Sequence, residues 1–164
     1  MKNGHLFWRS VCVAIALVFS QGFAFGQQKS LQEAMVGTWA YTSVVDVYED
    51  GKRISPWGAT RGSMMFDNTG RMQSILIGDV QPAMTGSDPR KADAFIMAYF
   101  GTYSVNEGAK SVVTKIEAAS NSARTGAQFT SSIEMVGDTM IIIGGQRKDQ
   151  NGTFAPRTEL RRVK

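Results

Sequence analysis

Gly37-Thr38-Trp39-Ala40-Tyr41-Thr42-Ser43-Val44-Val45-Asp46-Val47-Tyr48 is the stretch that decides the fold. It is rich in Trp, Tyr, Thr and Val, the residues that fit a pleated, half-buried surface. No Gly or Pro interrupts it after Gly37. It reads as one long strand, ended by the hairpin turn signal Asp50-Gly51. With Trp39 inward, strict alternation also puts Tyr41, Ser43, Val45 and Val47 inward and sends Asp46 to water.

The same reading continues outward. Ile54 to Trp57 is a short extended piece broken by Pro56. Arg61–Phe66 and Met72–Ile77 flank the turn Asp67-Asn68-Thr69-Gly70. Tyr99–Val105 and Ser111–Ala118 flank Asn106-Glu107-Gly108, and Gln128–Met135 and Thr139–Ile143 flank Gly137-Asp138. Gln150-Asn151-Gly152 leads to a last strand, Arg157–Val163. These eight or nine antiparallel strands, joined by short turns, form a meander. Such a chain most simply removes its edges by closing into an all-β, eight-stranded up-and-down barrel. One segment breaks the pattern. Ser87-Asp88-Pro89 is a helix start, and Ala92, Phe95, Ile96 and Tyr99 follow at helical spacing, so one short helix is expected mid-chain.

Upstream, residues 1–26 read as a cleaved signal peptide. Lys2 and Arg9 give a positive start, Val11–Phe19 an apolar core, and Ala24 and Gly26 small residues at −3 and −1. Nine apolar residues fall short of the roughly 20 that span a bilayer. Cys12 lies within the core rather than after a cleavage box, which speaks against a lipid anchor. The division expected is a signal peptide to Gly26, a linker over 27–34 and a barrel domain over 35–164, exported to the periplasm or beyond.

That division changes the chemistry on offer. The 164-residue chain holds one His and one Cys, His5 and Cys12, both in the leader. Removing 26 residues from 164 leaves 138, with neither type, and lowers the formal charge from +4 to +2. Cys or His nucleophile chemistry, His- or Cys-ligated metal and His-ligated haem are then excluded, and no cofactor or metal is expected. A charge of +2 with scattered Lys and Arg gives no argument for nucleic acid. An outer-membrane barrel is disfavoured by charges along the strands (Asp46, Lys115, Glu117, Glu134, Arg157, Glu159) and by the end Arg162-Val163-Lys164.

The Gly37-Thr38-Trp39 triplet belongs to a longer series: Met35-Val36-Gly37-Thr38-Trp39, Gly62 to Met72, Tyr99 to Val105, Gly137-Asp138 and Leu160-Arg161-Arg162-Val163. In that order the chain resembles the lipocalin-like domain family, bacterial barrels of the calycin type. The resemblance implies that Trp39 closes the barrel floor after Gly37, and that Arg161 or Arg162 stacks on its face. Alternation allows only one of those two to face inward. The chain departs from the family at Thr114-Lys115, where histidines are common, and at Ser131-Ser132, often basic.

The function expected is the binding of a small hydrophobic molecule inside the barrel, with no membrane span in the mature chain. The candidate ligand contacts are Tyr41, Met64, Phe66, Met72, Tyr103, Ile116 and Phe129. Met64 with Phe66 and Val112 with Ile116 are apolar sets whose facing alternation alone does not fix, Met adapts to apolar shapes, and a Tyr hydroxyl can orient a polar group. Ile75 with Ile77 and Phe129 with Ile133 and Met135 are further apolar sets. Two alternatives stand beside this. One is a barrel enzyme of the isomerase or cyclase kind, working with Tyr41 and Glu117; the other is an interaction module with no ligand.

Overall fold

The computed structural model describes residues 29–79 and 96–164. The stretch read as a signal peptide, residues 1–26, lies outside them. A five-residue helix α1 (Leu31–Met35) comes first, in the end of the stretch read as a linker. Ten strands follow: β1 (Gly37–Tyr48), β2 (Arg53–Ile54), β3 (Thr60–Phe66), β4 (Arg71–Gly78), β5 (Ile96–Asn106), β6 (Ser111–Ala119), β7 (Gln128–Val136), β8 (Thr139–Gly144), β9 (Arg147–Asp149) and β10 (Gly152–Arg162). Eight of them close a barrel in the order β1-β3-β4-β5-β6-β7-β8-β10, sealed by antiparallel pairing of β10 with β1. The short β2 and β9 extend β1 and β10 as side pairings.

Every barrel strand runs opposite to its neighbours, so the connections sort into two ends. The turns 67–70, 107–110 and 137–138 lie with Gly37 and Arg162 at one end, the floor. The connections 49–59, 120–127 and 145–151 lie at the other, the mouth. The floor turns are tight and internally bonded. Asp67 Oδ1 accepts from the Thr69 amide, the Thr69 hydroxyl and the Arg71 amide, each at 2.8 Å.

The helix expected after Pro89 falls largely outside the described residues. Its last two stripe positions, Ile96 and Tyr99, are extended in β5, paired with Ile77 and Ser74. Strand pairing with β4 overrides the helical spacing there. β5 also carries an irregularity against β6 between Phe100 and Gly101. A Cβ on Gly101 would lie 2.0 Å from the Lys115 carbonyl oxygen, so only glycine lets the two backbones approach there.

β1 departs from strict alternation. Its pairing with β10 slips between Tyr41 and Ser43, leaving Thr42 as the extra residue of a bulge. The Thr42 hydroxyl donates to the Glu159 carbonyl at 3.0 Å. Beyond the bulge the inward parity is reversed: Val44 and Asp46 line the interior, and Ser43, Val45 and Val47 do not. On β4 the inward set is Met72, Ser74 and Leu76, all buried, while Ile75 is 48% exposed on the outer face.

The core lies mostly toward the floor, with Leu76 of β4 extending it toward the mouth. Met35, Trp39, Leu76, Met140 and Leu160 are fully buried, with Phe66, Met72, Tyr103, Val112 and Ile133 packed among them. α1 covers this end. Ser30 and Glu33 form a capping box at its start, and the Glu107 carboxylate accepts from the Leu31 and Gln32 amides at 2.8 and 3.0 Å.

Candidate functional site

Two places hold the residues singled out from the sequence, the floor clamp and the interior cavity. At the floor, Trp39 Nε1 donates to the Met35 carbonyl at 2.7 Å. The Arg162 guanidinium lies 4.1 Å from the Trp39 ring centroid. It also donates to the Val36 carbonyl at 2.9 Å and to the Ala34 carbonyl. These are carbonyls at the end of α1, where a cation complements the helix dipole. Arg162 is therefore the stacking arginine, and Arg161 is exposed. Gly37 has φ +133°, and a Cβ there would stand 2.8 Å from Arg162 Nη1. Glycine is needed twice over, for the backbone angle and for the passage of the guanidinium.

Above the floor the barrel encloses a cavity of about 550 Å³ that opens at the mouth. Of the seven expected contacts, Tyr41, Met64, Phe66, Met72, Ile116 and Phe129 line it. Tyr103 does not. Its ring packs edge-on against Phe66 at 5.0 Å, and its hydroxyl donates to the Asp67 carbonyl at 2.6 Å. Its partner is the floor turn. Thr114 and Ser131, two of the positions where the chain departs from its family's pattern, line the cavity as well.

The lining is graded. Phe66 and Met72, at the floor ends of β3 and β4, make its deep apolar part with Met64, and Leu76 and Met97 carry the apolar wall toward the mouth. Within the wall, the Tyr41 hydroxyl and Ser74 Oγ are 2.7 Å apart, and the Tyr99 hydroxyl joins them. Burial holds the Tyr41 and Tyr99 hydroxyls well above the usual tyrosine range, so both stay protonated. At the mouth stand Arg124, Gln128, Arg147 and Asp46. Burial raises the Asp46 pKa, and the Arg147 charge opposes that rise.

Sequence reasoning did not single out Arg124, Arg147, Leu76, Met97 or Tyr99 as lining residues, and it sent Asp46 to water. Arg124 ends a short 3-10 turn, Ser122–Arg124, in a loop where no periodicity marks a facing. The Asp46 reversal comes from the Thr42 bulge, a residue with no turn-forming signature. Glu117 lies on the outer face, 2.6 Å from Arg71. Tyr41 opens into the cavity on the other side of the wall, so the structure does not bring this pair together for proton transfer.

A closed eight-stranded meander barrel with a capped floor, a Trp–Arg clamp and one open, mostly apolar cavity defines the class: a small up-and-down barrel of the kind that can hold one small ligand. The lipocalin-like domain family model matches residues 36–152, and the chain belongs to that family. Among curated proteins none matches the chain.

Proposed function

We propose that this protein is an exported binding protein that holds one small hydrophobic molecule inside its barrel. The observation that carries the reading is the cavity of about 550 Å³. Ligand sites commonly occupy roughly 300–1,000 Å³, and a core meant only to be filled leaves few voids larger than a water. The lining supports the choice of ligand: Met64, Met72 and Met97 are flexible apolar walls, and the charged groups stand at the mouth. The export half of the reading is supported by the leader, with its charged start, apolar core and small-residue cleavage site.

One experiment tests both halves. The protein, produced in its own host and purified from the exported fraction, is measured by native mass spectrometry. The expected result is a chain beginning at Gln27 that carries a stoichiometric small-molecule adduct. The Leu76→Trp variant, which places an indole in the cavity, should fold and lose the adduct. A bare mass across independent preparations, together with no uptake of an apolar fluorescent probe, would overturn the binding reading. A retained leader would overturn the export reading.

A further inference from the structure

The charged groups of the cavity are distributed unevenly. Asp46 lies near the mouth end of β1, and the Arg147 charge acts on its carboxylate. Arg124 follows β6, which lies four strands from β1 around an eight-stranded barrel, across the opening. Among the described residues no carboxylate lies within ion-pair distance of Arg124. Its neighbours are aromatic faces: Phe129 at 5.2 Å and Tyr99 at 5.9 Å from ring centroid to guanidinium carbon.

Aromatic faces hold a guanidinium in place through the ring quadrupole and leave its N–H edge available. That edge is directional and matches a planar carboxylate with two parallel hydrogen bonds. The charge is also felt at the Tyr41 and Tyr99 hydroxyls, so cation and hydroxyl cluster belong to one neighbourhood. Protonated hydroxyls add donors on the same side of the cavity. Asp46 would repel an anion, but it stands across the opening and has the Arg147 charge beside it. Among the described residues, Arg124 is therefore the lining charge without a counter-charge. From it, the apolar wall runs down to Phe66 and Met72 at the floor.

We propose that the cavity selects amphiphiles with a carboxylate headgroup, the head bound by Arg124 beside the Tyr41–Ser74–Tyr99 hydroxyls and the apolar tail pointing to the floor. This rests on the reading of the cavity as a hydrophobic binding site and assigns that site a polarity and a direction. A dodecyl ammonium compound, which offers the opposite charge on the same tail, is disfavoured by the same arrangement.

The test uses delipidated full-length mature protein and three probes of equal tail length, dodecanoate, dodecan-1-ol and dodecyltrimethylammonium, by isothermal titration below their micelle concentrations. Dodecanoate is expected to bind about tenfold or more tightly than the alcohol, with the cation weakest. In Arg124→Gln the dodecanoate advantage should vanish while the alcohol binds within about twofold of wild type. Arg124→Lys, which keeps the charge but not the planar fork, should fall between. Thermal melts of both variants establish that they fold. Equal binding of acid and alcohol to wild type, or an Arg124→Gln variant with unchanged preference, overturns the proposal and leaves the binding site standing. No binding of any probe overturns both.

Discussion

The two ends of the barrel use similar residues in opposite ways. At the floor, each polar group of the clamp is matched within the protein: the Trp39 indole to Met35, the Arg162 guanidinium to Ala34 and Val36, the Tyr103 hydroxyl to Asp67. At the mouth, Arg124 rests on aromatic faces, and Asp46 is held half-buried with its pKa raised. Both ends place an arginine on an aromatic ring. Among the described residues, only at the floor does the guanidinium edge also meet backbone carbonyls. An arginine whose edge is satisfied internally is a clamp, and one whose edge is not is available to a ligand.

The largest expected effect tests the floor. Replacing Arg162 with Met keeps much of the side-chain volume but removes the stacking charge and its hydrogen bonds to Ala34 and Val36. Charge-assisted hydrogen bonds and a desolvated cation–π contact together put the cost at about 2–3 kcal/mol. Arg161→Met, one residue earlier and facing solvent, should stay within about 0.5 kcal/mol of wild type. Urea denaturation of the two variants reads the difference directly. Equal losses would break the distinction between a clamp arginine and a surface one.

That distinction was half legible in the sequence. The Gly37-Thr38-Trp39 strand start and the Arg161-Arg162 pair marked the floor, but alternation alone could not say which arginine turned inward. The register Trp39 opposite Arg162 settles it. The strands themselves were readable because turn chemistry brackets them: Asp67 to Gly70 and Gly137-Asp138 sit where pairing must reverse. The mouth was less readable for two physical reasons. A bulge adds one residue without changing composition, so Thr42 looks like any strand residue while reversing Val44 and Asp46. Arg124 belongs to a loop, whose facing is set by the strands it joins and not by its own spacing. Tyr99 carries two signals, helical spacing from Ala92, Phe95 and Ile96 and the start of the strand Tyr99–Val105, and pairing with β4 decides for the strand.

A second test asks how dry the cavity is. All four tyrosines, Tyr41, Tyr48, Tyr99 and Tyr103, are held above the usual tyrosine value, with desolvation the leading cause in each. In the unfolded chain they ionise near pH 10. Above that pH the unfolded state has released protons that the native state keeps, so native stability is fully present below about pH 10 and falls as pH rises further. Phenolate absorbance near pH 10.5 should be small in the native protein and large in urea. Native titration of Tyr41 and Tyr99 at the unfolded value, with Tyr103 still suppressed, would show water at the cavity hydroxyls and sharpen the contrast between the ends.

The smallest effect compares two aspartates of opposite sign. Asp67, in a floor turn, has its pKa lowered by the Arg71 amide and the Thr69 hydroxyl, so its ionised form favours folding above the unfolded value of 3.8 and that support is lost as pH falls. Asp46, at the mouth, has its pKa raised by burial, so ionisation costs the folded state and the cost grows as pH rises through the folded value. Asp46→Asn should therefore raise stability at pH 7, by only a few tenths of a kcal/mol because solvent screens this partly exposed group. The gain should fade by about pH 3, where the wild-type carboxyl is neutral as well. Asp67→Ala should do the reverse, losing stability at pH 7. If the Asp46 variant is instead destabilised, its carboxylate is a structural partner of Arg147, and the mouth is more like the floor than its geometry indicates. If it is stabilised and also binds dodecanoate more tightly, the carboxylate is a group that the fold tolerates at the entrance and that opposes an anionic head there.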